Sequence, residues 1–378
     1  MAAQALDHPA RVFGLGSDTG LDVFHPLGDR ILRIGFVEQS AQPVAQRDVP
    51  AHADALRVLA LELAAHVDFA ALAAEIDEAA PRPGRERGGR PPFPTELMVR
   101  VLVVQQLYNL SDEQMEFQLL DRLSFQRFVG LRQSSQAPDR TTIWTFKERL
   151  IKAGATERIF EAVNRQLDRQ GYIARGGQMI DASIVPAPRQ TLTRDEKEVV
   201  QQDAMPAEWS PPKRRQKDVQ ARWTKKHGKS HFGYKLSTSV DKRHKLIRRV
   251  QVSTASEHDT LHFEGVLDAG NTSRDVWADK GYVDGEREQR LTARGWRMHI
   301  QRKGQAGKPL SDCQERRNRR IAKTRARVEH IYASLEQMGG KALRSIGLDR
   351  ATLHLHWKAA TYNLRRLCTL MEVGPQPF

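Results

Sequence analysis

Apolar residues recur every three or four positions from His52 to Ala79, an Ala- and Leu-rich stretch whose period predicts an amphipathic helix. PRPGRERGGRPP then interrupts the pattern with Pro, Gly and Arg, which predicts a basic linker. The helical period returns in PTELMVRVLVVQQLYNL, in SDEQMEFQLLDRL, where Ser111 and Gln114 fit a capping box, and in SFQRFVGL. APDRTTIWTFKERLIKAG opens a further helix with Asp139 as N-cap, and ERIFEAVNRQLDRQG adds another. At Gly176 the period changes. GGQMIDASIV, HFGYKLSTSVD and KLIRRVQVSTAS alternate as strands do. HDTLHFEGVLDAG then predicts a helix, DVWADKGYV a strand, EREQRLTARG a helix and WRMHIQRK a strand. Two long helices follow, from about Ser311 to Met338 and from about Leu353 to Leu370. Three adjacent strands followed by alternating helix and strand predict a mixed α/β sheet with helices on its faces. No internal repeat is evident.

These boundaries divide the 378 residues into an arm over 1–50 without sustained periodicity, a helical region over 51–172 and an α/β region over 173–378. Short helices joined by tight turns and carrying Arg122, Arg127, Arg132, Arg140, Lys147 and Arg149 fit two readings. One is a helix-turn-helix-like DNA-binding unit, the other a bundle with solvated basic residues. On these helices alone the two are nearly level. At +14 and pI 9.9 the chain is suited to a polyanion, because each phosphate that Lys or Arg neutralises releases counterions. No apolar run approaches the roughly 20 residues that span a bilayer, and the amino terminus has no basic-then-apolar signal pattern, so a soluble cytoplasmic protein is expected. Cys313 and Cys368 have neither metal-ligand nor redox spacing.

Residues 189–229 form a long charged excursion inside the α/β region. Its second half holds Lys213, Arg214, Arg215, Lys217, Arg222, Lys225, Lys226 and Lys229 around Trp223, with Asp218 opposing them. Basic residues can track a phosphate backbone while an aromatic stacks on an unpaired base; the plainer reading is a solvated, flexible charge run. Either way a loop this long is unusual within a compact domain.

Three acids carry the candidate chemistry. Asp181 follows Met179 and Ile180 near a predicted strand end, Asp279 follows Val276 and Trp277 ahead of Gly281, and Glu329 lies within the long helix. Hard cations such as Mg²⁺ prefer oxygen ligands and are usually held by one or two carboxylates plus substrate phosphates. Two strand-borne aspartates and one helix-borne glutamate can therefore hold a pair of ions for phosphoryl transfer. Taken singly, each has a bland alternative: a strand-end Asp commonly forms a turn, and Glu329 can pair with Arg325 one turn earlier.

Order and context together are more specific. From about Arg90 to Leu370 the chain resembles the DDE transposases of bacterial insertion sequences, particularly the insertion-sequence-five group. The matching texts are GRPPFPTELMVRVLVVQQLYNLSDEQMEFQLLDRLSFQRFVGL, APDRTTIWTFKERL, MIDASIVPAP, HFGYKLSTSVD, DVWADKGYVD, RARVEHIYASLEQMGG and AATYNLRRL. The resemblance implies an RNase H-like mixed sheet flanked by helices, preceded by an all-helical, helix-turn-helix-like DNA-binding domain. It implies that Asp181, Asp279 and Glu329 are the catalytic and metal-binding acids, with two Mg²⁺ ions as cofactor and Mn²⁺ able to substitute. The family's Arg four residues before its Glu falls on Arg325. Only 49 residues separate Asp279 from Glu329, so the large β insertion of some relatives is expected to be absent. Where the family has a Tyr and a Lys flanking this motif, this chain has Ala322 and Glu336. Loss of that Lys shifts the expected DNA contacts to Lys341, Arg344 or the excursion.

The expected DNA-binding residues are Arg140, Lys147, Arg214, Arg215, Arg222, Trp223, Lys225, Lys226, Arg325 and Lys341. The basic run Arg316, Arg317, Arg319, Arg320, Lys323, Arg325 and Arg327 beside Glu329 is expected to deliver phosphates. The expected partners are double-stranded DNA, as inverted-repeat ends and target, and a second copy of the chain on that DNA. His227, His231 and His258 lack Cys partners and a tight helical His pair, which argues against zinc; His354 and His356, two apart, lie on different helix faces. GKS at Gly228–Ser230 lacks the first Gly of a phosphate-binding loop, since position 223 is Trp, so no nucleotide cofactor is expected. The expected function is cleavage at the element ends and joining of the 3′-hydroxyl to target DNA. The rivals are a catalytically silent DNA-binding regulator and an RNase H-like nuclease that does not join strands.

Overall fold

The computed structural model describes residues 62–82, 91–132, 136–202, 204–226, 228–305, 307–340 and 343–373. The arm over 1–50, most of the basic linker and Lys341 lie outside the described residues. The helical region contributes α1 (Phe69–Ala79), α2 (Thr95–Leu107), α3 (Asp112–Asp121), α4 (Leu123–Val129), α5 (Arg140–Lys152) and α6 (Thr156–Arg169). The predicted caps are present. Ser111 and Gln114 close a capping box on α3, and Asp139 accepts from Thr142 N at 2.6 Å to start α5.

The sheet contains β1 (Gln178–Pro186), β2 (Arg222–Lys226), β3 (Lys229–Asp241), β4 (Ile247–Thr254), β5 (Asp275–Ala278) and β6 (Arg297–Ile300). Strands run in the order β4-β3-β1-β5-β6, and β2 pairs with the first residues of β3. β3 is antiparallel to both of its neighbours, β1 and β4, whereas β5 and β6 run parallel to β1. The result is a mixed α/β sheet flanked by helices, as the change of period at Gly176 predicts. Helices α9 (Gly285–Ala293), α10 (Asp312–Gln337) and α11 (Leu348–Val373) complete it.

Side-chain alternation gives the sheet two dry faces. Ile180, Val276, Ala278 and Ile300 pack with Phe263, Tyr282, Leu291 and Trp296 on one. Met179, Leu236 and Val240 on the other join Val328, Ile331 and Leu335 of α10 and the buried side of α11. The same core continues through Leu102 of α2, Leu150 of α5 and Val163 of α6, so the helices before the sheet and the sheet itself share it. Polar groups inside it are matched. Asn363, in the AATYNLRRL text, accepts from Ile247 N at 2.9 Å and donates to Ile247 O at 2.7 Å, which seats α11 on β4.

Two predicted elements differ. The helix expected in HDTLHFEGVLDAG is only a 3₁₀ turn, Asp259–His262, followed by further turns. Gly265 and Gly270 weaken a helix there, and the end of the Gln251 side chain lies against Gly265. The charged excursion is not a continuous loop: it folds α7 (Arg194–Gln201), α8 (Pro211–Gln216) and β2. Thr193 and Glu196 form a capping box, and Glu196 also accepts from the buried Trp209 indole at 2.7 Å. Asp218, the acid among its cations, is buried and accepts from Tyr234 Oη at 2.8 Å and Gly347 N at 3.1 Å, tying the excursion to β3 and the start of α11. Among the described residues no helix is long and apolar enough to cross a membrane.

Candidate active site

β1 begins at a tight crossing. Gly177 has φ +88°, and a Cβ there would lie 2.5 Å from the Trp277 ring and 2.6 Å from Asp275 O, so only glycine lets β1 come this close to β5. Its amide and carbonyl are both bonded by the Asn271 side chain at 3.0 Å. From this start the parallel register pairs Gln178 with Val276 and Met179 with Trp277. Asp181 lies two residues further along β1 and Asp279 one residue past the end of β5, close enough for the Asp279 charge to act on the Asp181 carboxyl. Asp181 is the fourth residue of a nine-residue strand rather than lying at a strand end as expected, because β1 continues to Pro186 against β3. Asp279 leaves β5 with extended dihedrals and caps the 3₁₀ turn Lys280–Tyr282, accepting from Gly281 N at 2.7 Å.

Helix α10 covers these strands. Arg325, Glu329 and Tyr332 fall at i, i+4 and i+7, one face of the helix. Arg325 donates to Asp181 Oδ2 at 2.8 Å, and Tyr332 Oη donates to Asp181 O at 2.7 Å while meeting Thr238 Oγ1 at 2.9 Å. Glu329 sits between these two anchors on that face and is exposed. The surface pair expected between Arg325 and Glu329 is replaced by the Arg325–Asp181 pair, since burial makes the strand carboxylate the needier partner. Arg325 also reaches Gln301 Oε1, just past β6, at 3.4 Å. Burial holds the Asp181 carboxyl above the ordinary carboxylate range even with Arg325 beside it, and the Asp279 charge adds to the rise.

Tyr332 was not among the residues the sequence singles out. Its signal was available, as an apolar-aromatic position completing the Arg325–Glu329 stripe. Tyr282 is also buried at the site, with a hydroxyl that has no hydrogen-bond partner among the described residues. Burial and the nearby Asp181 carboxylate push that phenol well above its usual range.

The donor set suits a hard cation in kind: three carboxylates, one of which, Asp181, is already paired with the Arg325 guanidinium. Its spacing is looser. Among the described residues no three His, Cys, Asp or Glu side chains are gathered closely enough to hold a metal. The structure thus brings Asp181 and Asp279 together and puts Glu329 on the helix face that covers them, without drawing all three to one point.

The expected DNA contacts are scattered more widely. Arg140, exposed at the start of α5, lies 3.6 Å from Glu113, and Lys147 pairs with Asp112 at 2.5 Å. Arg214 donates to Trp209 O and Ala207 O, and Arg222 to Val200 O, so both brace the excursion itself. Arg215, Lys225 and Lys226 are exposed, as is Trp223, 52 % accessible and packed against Phe232 at 5.3 Å. On α10, Arg317 is turned inward to Ile300 O at 2.8 Å, whereas Arg316, Arg320 and Lys323 are exposed.

Residues 174–364, which contain all three acids, match the family described as Transposase DDE domain. This chain belongs to the DDE transposase family. Residues 46–149 match a second family, described as Transposase domain (DUF772), which covers the helical region up to α5. A transposase of this family is an enzyme of the transposase or nuclease type encoded by a mobile element, and its substrate is DNA.

Proposed function

We propose that this transposase is of the insertion-sequence-five type, binds the terminal inverted repeats of its element, and cuts and rejoins DNA with Asp181, Asp279 and Glu329. The observation that carries the proposal is the parallel pairing of β1 with β5, which brings Asp181 of β1 near Asp279 just past the end of β5, with the Arg325–Glu329 face of α10 against Asp181. The strand order, three antiparallel strands followed by two parallel ones, supports an RNase H-like reading of the sheet. Two Mg²⁺ ions, or Mn²⁺, would supply Lewis-acid activation of the attacking and leaving oxygens. The three carboxylates would be their protein ligands. Asp181 can offer a lone pair while keeping Arg325, since each carboxylate oxygen accepts more than one contact. Arg325 and Tyr332 hold β1 against α10 and so fix where the Asp181 carboxylate stands.

In this scheme residues 51–172 recognise the ends and residues 173–378 perform the chemistry. Arg316, Arg320 and Lys323, with Lys225, Lys226 and Trp223 of the excursion, guide the phosphate backbone. Arg140, Lys147, Arg214, Arg215, Arg222 and Lys341 complete the proposed DNA-binding set. Water is the first nucleophile and the freed 3′-hydroxyl the second. Two ends must meet, so the active form on DNA is a dimer.

The test is cleavage and strand transfer on labelled element ends with Asp181→Ala, Asp279→Ala and Glu329→Ala. Each variant should lose both reactions while still shifting end DNA. Full strand transfer by all three would refute the assignment. Wild-type protein that binds but never nicks would favour a silent regulator, and nicking without joining a nuclease.

A further inference from the structure

A cavity of about 560 Å³ lies between α2, α5 and α11, and none of the three acids lines it. That is within the range of small-molecule sites, roughly 300–1,000 Å³. Four residues that line it carry a buried side-chain atom with no hydrogen bond among the described residues: Gln105 Oε1, Gln106 Oε1, His354 Nε2 and Trp357 Nε1. Their polarity can be assigned. Gln106 Nε2 meets His354 Nδ1 at 3.5 Å, so Nδ1 accepts and the proton of the neutral ring is on Nε2. Two acceptors and two donors are therefore left over, and buried groups of this kind cost stability until they are paired. An anion alone offers only acceptors, and a hydrocarbon offers nothing. A heterocycle with both donors and acceptors on its edge matches.

The rest of the lining points the same way. Trp144 of α5 is 48 % accessible and lines the cavity, offering a flat apolar surface. Four cations face two carboxylates in the wall. Lys147 and Arg350 are engaged by Asp112 and Glu148, but Arg344 is exposed, with Nη1 on Asn109 O. Arg215, delivered by α8 of the basic excursion, is exposed and has no ion pair among the described residues.

We propose that this cavity holds one nucleotide unit, its base against Trp144 and the polar edge of Gln105, Gln106, His354 and Trp357, and its phosphate on Arg215 and Arg344. The nucleotide can come from an unpaired position in bound DNA or from solution. The inference rests on the transposase reading only for that source.

The full chain would be titrated with two probes, 2-aminopurine deoxyribonucleoside 5′-monophosphate and a duplex carrying one unpaired 2-aminopurine, with a fully paired duplex as control. Saturable quenching of probe fluorescence is expected. Trp144→Ala, at a half-exposed position that does not threaten folding, should weaken binding about tenfold or more, the scale of lost base stacking. Gln106→Leu should weaken it too, with some loss of melting temperature because His354 Nδ1 loses its donor. Quenching by the free nucleotide assigns a soluble ligand; quenching only within the duplex assigns a DNA base; either supports the site. No saturable quenching with either probe, or wild-type binding by both variants, overturns it. Asp181→Ala protein should bind the probes normally, so a failure of the cleavage reading and a failure of this one are separable.

Discussion

Replacing Lys358 with Met should change how stability depends on pH. The Lys358 ammonium is 0 % exposed, and its Nζ donates to Gln106 O at 2.7 Å and to Met338 O. These carbonyls are at the C-terminal ends of α2 and α10, so one buried amine ties the helix bearing Glu329 to the helical region. Burial, with a smaller contribution from Arg344, pushes its pKa from 10.5 down to about 7. In the window from about 7 to 10.5 the unfolded chain binds the extra proton, so stability rises with pH; below about 7 both states are charged and the full cost of burial is present. That cost is roughly 5 kcal/mol at most, since each unit is worth about 1.4 kcal/mol. Between pH 7 and pH 9 the wild type should gain roughly 2 kcal/mol relative to Lys358→Met. Each carbonyl left without a donor in the variant costs about 1–3 kcal/mol, an offset that does not vary with pH. Urea unfolding of both proteins, followed by circular dichroism at pH 7, 8 and 9, measures the difference while other titrations cancel. A difference that stays flat would show that the negative ends of the two helix dipoles keep the amine charged, and would refute the argument.

Three further outcomes follow from the site. Tyr332→Phe should lower stability by about 1–2 kcal/mol in chemical denaturation and slow end nicking without reducing end binding, because Asp181 O loses its donor. Gly177→Ala should cost more, about 3 kcal/mol or enough to prevent folding, since its Cβ would overlap Asp275 O at positive φ; a thermal melt unchanged from wild type would contradict the close approach of β1 to β5. The double variant Lys225→Ala, Lys226→Ala should leave the melt unchanged and reduce the slope of log K against log salt by about 2, one counterion for each lost phosphate contact.

The amino-acid sequence made the frame legible because periodicity reports burial. The five strands of the main sheet and both long helices stand where the alternation and the 3.6-residue period put them. It read Asp181, Asp279 and Glu329 as one group; the structure puts Asp279 close enough for its charge to act on the Asp181 carboxyl and Glu329 on the face of α10 that bonds Asp181, without gathering the three among the described residues. What it could not read were distances across the fold. Arg325 sits four residues before Glu329, yet its partner is Asp181, 144 positions away, and nothing local distinguishes these choices. The Asp259–His262 turn misled because apolar spacing suited a helix while Gly265 and Gly270 lower the helix propensity of the segment. In the excursion, a capping box and Trp209 were hidden among charges that dominate its composition.

Helix α11 fills the middle of a core whose other walls, α2, α5, α6 and β4, precede it by roughly a hundred residues or more. During synthesis those walls emerge from the ribosome with their apolar sides bare. They stay so until α11 arrives, so a chain that stops short of α11 keeps that apolar surface uncovered and is prone to aggregate.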